Sequence, residues 1–271
     1  MLSGITIGQY FPGRSLVHRM DPRVKLLLTI AYVVALFLTN SFWGYLLAAG
    51  FLVFSVALSR LPLKLVWKSV KPILPLVLFT SVINIFFVDG GDILVDWWIF
   101  HITVRGVVTA VFIALRIVCL IAGSSLLTYT TSPTTLTDAL ERLMKPLKLL
   151  HVHVHEIAMM MTIALRFIPT LVEETDKIMS AQKARGADIE SGGLMQRVRA
   201  LIPILIPLFV SSFRRAYELA MAMECRCYHG GEGRTRMKQL HMLPRDLVCL
   251  LVMAGLIGGL IVLNILLPAV L

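Results

Sequence analysis

The sequence predicts an all-α integral membrane protein with about five transmembrane helices and a set of amphipathic helices inserted before the last span. Three observations carry that prediction. The chain is 57% apolar, and its mean hydropathy of +0.81 lies above that of ordinary soluble domains. Its apolar residues fall into long runs, and its basic residues fall almost entirely between alternate runs.

A bilayer core about 30 Å thick needs about 20 mostly apolar helical residues, with about 17 tolerated. Residues 24–40, 42–58, 72–88, 104–129 and 246–271 meet that length. The first run follows HRMDPRVK and is succeeded by TNSFW, which has no small-x-small cleavage site and so reads as a retained span. Cys119 and Cys249 fall within spans, while Cys225 and Cys227 stand two apart on a helical stretch and point different ways. The expectation is four reduced thiols.

Of the 26 Lys and Arg residues, 24 lie in the N-terminal arm, the connection around residues 60–71 or the stretch 128–245. Alternation of five spans puts all three regions on one side. The opposite loops are TNSFW and VDGGDILVDWWIFHIT, the latter with Asp89, Asp92 and Asp96 and no Lys or Arg. The positive-inside rule then sets the N-terminus in the cytoplasm and the C-terminus outside, with Trp97 and Trp98 in an outer interfacial belt. A formal charge of +10 does not point to nucleic acid, because the basic clusters lack the base-stacking aromatics of such a surface.

Three regions follow: a four-span bundle over 1–129, a polar-to-amphipathic region over 130–245, and the last span over 246–271. Within the middle region Pro133 opens a helix with Leu136, Leu140, Leu143 and Leu147 on one face, suited to lie at the membrane surface or against a partner. Pro169 is expected to kink or break the next helix, leaving an apolar segment and then an amphipathic helix ending near Gly186. The stretch around Pro203 and Pro207 repeats the plan. Laid over one another at an offset of 41 residues, Ile178, Ala181 and Arg185 fall on Leu219, Ala222 and Arg226. Both sets share one helix face.

Arginine extends a rigid fork of five donors suited to carboxylates and carbonyls. The small neighbours Ala184, Gly186, Cys225 and Cys227 keep the surface around Arg185 and Arg226 thin, so another protein can approach closely. Gly186 lets the chain turn away after the helix. An arginine at a helix C-terminus also suits the macrodipole, so a capping role stands beside a docking role. Two copies on one side of the membrane favour docking.

ITIGQYFPGRSLVHRMDPRVKLLL, ALRFIPTLVEETDKIMSAQKARGAD and AMECRCYHGGEGRTR resemble the transmembrane T component (EcfT) of energy-coupling factor (ECF) transporters, over nearly the whole chain. The opening and the GGEGRTRMKQL exit are similar to the branch in which one T component serves several substrate-binding subunits. The resemblance implies a bacterial plasma-membrane coupling subunit. Its partners would be two ABC-type ATPases, which bind ATP and Mg, and a small membrane S component that captures a vitamin or other micronutrient. It also implies that Ala184-Arg185-Gly186 and Cys225-Arg226-Cys227 end the coupling helices and seat in grooves of the two ATPases. The second triplet keeps the arginine but not the flanking alanine and glycine.

No phosphate-loop motif G-x-x-x-x-G-K-[ST] occurs, and Met159 stands where an HExxH motif beginning at His155 needs its second histidine. The chain is therefore expected to carry no catalytic residue, metal or cofactor of its own. His151, His153 and His155 keep one alternative open, an intramembrane metalloenzyme. Others are a T component dedicated to cobalt, nickel or one vitamin, and a transporter acting alone with residues 157–172 and 201–213 as further spans. Met159, Met160, Met161, Met221 and Met223 offer an adaptable surface for interchangeable S components, or ordinary core filling. Arg116, near the middle of the fourth span, is expected to meet a carboxylate or carbonyl inside the bundle.

Overall fold

A computed structural model describes residues 10–88, 93–97, 100–187, 193–231 and 240–266. Asp89, Asp92, Trp98 and most of the GGEGRTRMKQL exit lie outside the described residues. The chain divides into two compact units, one of Tyr10–Ala139 with Gln239–Leu271 and one of Leu140–Lys238.

The first unit begins with α1 (Pro22–Leu38), whose start is written in its sequence: Asp21 caps it by accepting from the Arg23 amide, and Pro22 stands at its first position. Ser41 caps α2 (Phe42–Ser59) through the Gly44 amide, and α2 ends where Arg60 turns left-handed at φ 53°. A short helix α3 (Leu63–Val70) and one 3-10 turn lead into α4 (Leu74–Phe87). The acidic loop then forms a hairpin in which β1 (Ile93–Trp97) pairs antiparallel with β2 (Phe100–Thr103), so Asp96 and Trp97 sit on a strand. Thr103 ends the hairpin and caps α5 (Val104–Thr130), accepting from the Gly106 amide while donating to the Val88 carbonyl at 2.8 Å. The last helix of this unit is α9 (Pro244–Leu266).

Its core is a cluster of Tyr32, Leu36, Ala48, Cys119 and Met253, drawn from α1, α2, α5 and α9. The Tyr32 hydroxyl donates to the Ala48 carbonyl at 3.2 Å. Gly123 permits this packing, since a Cβ there would lie 2.8 Å from the Tyr32 ring.

Helix α6 (Pro133–Leu143) starts at Pro133 as expected but stops short of Leu147. Pro146 explains the stop, because the residue before a proline avoids helical geometry and the chain tightens into a 3-10 turn over Lys145–Leu150. The second unit is dominated by α7 (Val154–Ala184) and α8 (Leu194–Glu224), each of 31 residues.

Both helices run through their prolines, where the sequence predicts a kink or break. A proline frees the carbonyl four residues before it, and such carbonyls are tolerated where other groups take them up. Pro207 frees the carbonyl of Pro203, and the Gln182 side chain of α7 donates to that oxygen at 3.3 Å.

Six helical segments among the described residues are long and apolar enough to cross a membrane: α2, Leu63–Phe87, α5, α7, Val198–Glu224 and α9. The 17-residue α1 is just short of that length yet packs against α5 and α9. The chain is an α-helical, multi-pass membrane protein carrying one short hairpin among the described residues, with α7 and α8 apolar enough to enter the bilayer.

Candidate functional site

The two arginines end α7 and α8 in the same backbone device. Arg185 is the cap of α7, and its amide bonds the carbonyls of Ala181 and Gln182. The Gly186 amide bonds Lys183, and the Ala187 amide reaches back to Gln182 at 3.0 Å. At the end of α8 the Arg226 amide bonds Met223, the Cys227 amide bonds Glu224, and the Tyr228 amide reaches back to Met223 at 3.0 Å. Apart from the Arg185–Ala181 bond, these are the same bonds shifted by 41 residues, the paired closure of a Schellman motif. Gly186 has φ +86° and Cys227 φ +55°, so cysteine holds the left-handed position that glycine holds in the first copy.

Ala184, Arg185, Gly186, Cys225, Arg226 and Cys227 are all exposed. The caps consume the backbone donors and leave both guanidinium groups facing outward. Glycine at 186 adopts its conformation at no steric cost, whereas cysteine at 227 carries about 1 kcal/mol of left-handed strain.

Sequence reasoning missed what orients the caps. Glu174 of α7 accepts from Arg215 of α8 at 2.6 Å and from the Ser211 hydroxyl. Glu174 and Arg215 are themselves related by the offset of 41, a signal present in the repeat but hidden by their opposite charges. On one side of this pair Gln182 meets Pro203. On the other, Ile163 and Phe167 face Leu219, Ala220 and Met223 across an apolar cleft of about 400 Å³. The helices therefore run antiparallel through the crossing, and the two arginines lie on opposite sides of it. Each is 11 residues past its member of the ion pair, about 16 Å along its axis.

Of the methionines, Met223 lines the cleft and the Met159 sulfur accepts from the Tyr228 hydroxyl at 2.9 Å. Met160, Met161 and Met221 are exposed. The histidines do not converge. His151 sits in a turn at φ 59°, His153 precedes α7, and His155 Nδ1 bonds Glu141 Oε1 at 3.0 Å. Among the described residues no three His, Cys, Asp or Glu side chains are placed to hold one ion.

Arg116, midway along α5, lies in the other unit. Its Nε donates to the Tyr45 hydroxyl at 2.7 Å and its Nη2 to the Thr39 carbonyl at 3.2 Å, with its guanidinium 5.7 Å from the Phe37 ring centre. It thus occupies a backbone oxygen left open where α1 ends.

The family model described as "Cobalt transport protein" (CbiQ) matches residues 13–237. A Clostridium kluyveri protein named "Energy-coupling factor transporter transmembrane protein EcfT" is 56% identical over 249 residues, covering 92% of each chain. A Bacillus subtilis protein of the same name is 48% identical over 260 residues, covering 95% of this chain and 98% of the relative. Helices of membrane-crossing length, a repeated arginine cap and identity over almost the full length agree: the chain belongs to the family of transmembrane components of energy-coupling factor transporters.

Proposed function

We propose that the crossed α7/α8 pair couples two cytoplasmic ABC-type ATPase subunits to a membrane-embedded S component that binds a vitamin or other micronutrient. The observation that carries this reading is the repetition of one exposed arginine cap at an offset of 41 residues. Arg185 enters a groove of one ATPase and Arg226 a groove of the other, each supplying a fork for carboxylates or carbonyls. ATP and Mg belong to those subunits, and this chain performs no chemistry. Movement of the grooves displaces α7 and α8 and reorients the S component, so that its ligand leaves on the cytoplasmic side. Met160, Met161 and Met221 form an adaptable face for exchangeable S components. The basic loops set the N-terminus in the cytoplasm and the C-terminus outside.

Affinity purification of the tagged chain in mild detergent tests this reading, with Arg185→Glu and Arg226→Glu in parallel. The expected result is co-elution of two P-loop ATPases, weakened at one subunit by each substitution. Undiminished co-elution and micronutrient uptake in both variants would overturn it.

A further inference from the structure

The first unit contains a cavity of about 490 Å³ between α1, α2, α5 and α9. Its wall is formed by Leu28, Tyr32, Leu52, Leu126, Val252 and Met253. The polar groups along it are largely spent on backbone. Thr29 donates to the Lys25 carbonyl at 2.9 Å, Tyr32 to the Ala48 carbonyl at 3.2 Å, and Thr130 to the Leu126 carbonyl at 2.7 Å. A polar ligand would find few free donors here, whereas a hydrocarbon chain loses nothing. From Lys25 to Tyr32 on α1 and from Arg245 to Met253 on α9 the cavity follows two helical turns, about 10–12 Å.

The charged residues of the cavity lining are Lys25 and Arg245. Bonds join Arg245 to Arg19, Arg23 to Asp21, and Asp21 to Asp246, so this group of four bases and two acids has a surplus of two positive charges. The acids are buried: Asp246 accepts from the Asp21 amide at 3.2 Å and the Leu243 amide at 2.9 Å, and Asp21 accepts from the Arg23 amide through Oδ1, while its Oδ2 is buried with no partner among the described residues. Lys25 Nζ is committed to the carbonyls of His18 and Thr130 and the Thr131 hydroxyl. Arg245 lines the cavity, donates through Nη2 to the Arg19 carbonyl, and has a buried Nε with no partner.

We propose that this cavity binds one anionic phospholipid from the adjoining leaflet, with an acyl chain between the four helices and the phosphate at Arg245. The apolar wall selects a tail, and the surplus positive charge at its rim selects the headgroup. The site is independent of the arginine caps and needs neither ATPase nor S component.

The test is native mass spectrometry of the full chain in mild detergent, given equal amounts of phosphatidylglycerol and phosphatidylcholine with identical acyl chains. One retained lipid is expected, with phosphatidylglycerol preferred about fivefold, the factor for about one basic residue at an anionic surface. Arg245→Gln should bring the two lipids to near-equal retention. Ser55→Phe, which fills the cavity from α2, should abolish retention of both, while Leu46→Phe on the exposed side of α2 should not. Helical circular dichroism checks each variant, and Val252→Phe replaces Ser55→Phe if the latter fails to fold. Absence of retained lipid, equal retention by the unaltered chain, or retention by the filled variant would overturn the site.

Discussion

Glu174 and Arg215 occupy equivalent positions in two consecutive helices and bond each other at 2.6 Å, making their ion pair the pin of the α7/α8 crossing. Removing Glu174 strands a half-buried guanidinium and also frees the Ser211 hydroxyl. Glu174→Ala should cost about 1–3 kcal/mol, in the range for hydrogen bonds to charged groups. Thermal unfolding in detergent measures the loss, and a Glu174→Arg, Arg215→Glu exchange should recover part of it. Full stability in the single variant would deny the pin its role.

The Gln182–Pro203 bond exists because Pro207 has no amide hydrogen. Gln182→Leu should therefore cost about 1 kcal/mol and loosen α8 near Pro203, read as faster hydrogen exchange there. Adding Pro207→Ala restores an amide that can bond the Pro203 carbonyl within the helix, so the pair of changes should cost less than Gln182→Leu alone. Simple additivity would count against the bond.

Cys227 adopts a conformation that glycine occupies in the first cap. Cys227→Gly should relieve about 1 kcal/mol of strain and slow exchange of the amides at Cys227 and Tyr228. Gly186→Val should do the reverse at the first cap. Opposite signs at the two caps are the diagnostic result, because they arise from backbone conformation alone.

Arg116→Met should expose the commitments of the bundle core. The Thr39 carbonyl and Tyr45 hydroxyl would both lose their partner, at about 1–3 kcal/mol. Arg116→Lys should recover only part, since an ammonium lacks the planar fork that serves both groups. A melting temperature unchanged in both variants would contradict this account.

His18 ties down the N-terminal arm by bonding the Ser15 hydroxyl at 2.7 Å and the Phe11 carbonyl at 3.0 Å. Burial holds its pKa below the ordinary histidine value, and the nearby Lys25 charge acts in the same direction, against the bond to Phe11. A depressed folded value means that the unfolded chain binds the proton first as pH falls. Stability from this residue is complete above about pH 6.5 and declines as pH falls from there toward the folded value. His18→Gln should flatten that part of the melting-temperature profile; an unchanged profile would assign the pH dependence elsewhere.

Much of the fold was legible because local signals decide it. The spans at residues 24–40, 42–58 and 104–129 were read from their apolar length, and Gly186 turns the chain after Arg185 as its position implies. The arginine repeat was legible for the same reason, since a cap is a local device. Continuity through Pro169, Pro203 and Pro207 was not legible, because a proline reads as a breaker until the group that takes up its freed carbonyl is known. For Pro207 that group is Gln182, 25 residues earlier in the chain. The hairpin β1–β2 was not legible because its acidic, aromatic sequence gives no strict apolar alternation to mark a strand.

The unit that holds Tyr32 and Leu36 draws Met253 from the far end of the sequence, and Asp246 receives the Asp21 amide. In the sequence, the other unit, Leu140–Lys238, comes between those contacting residues. During synthesis the first four spans must wait with an open seam until α9 emerges, since no earlier segment supplies Met253 or Asp246. Loop closure over such separations is slow, so release of the nascent chain before α9 would leave the seam around Tyr32 unsealed.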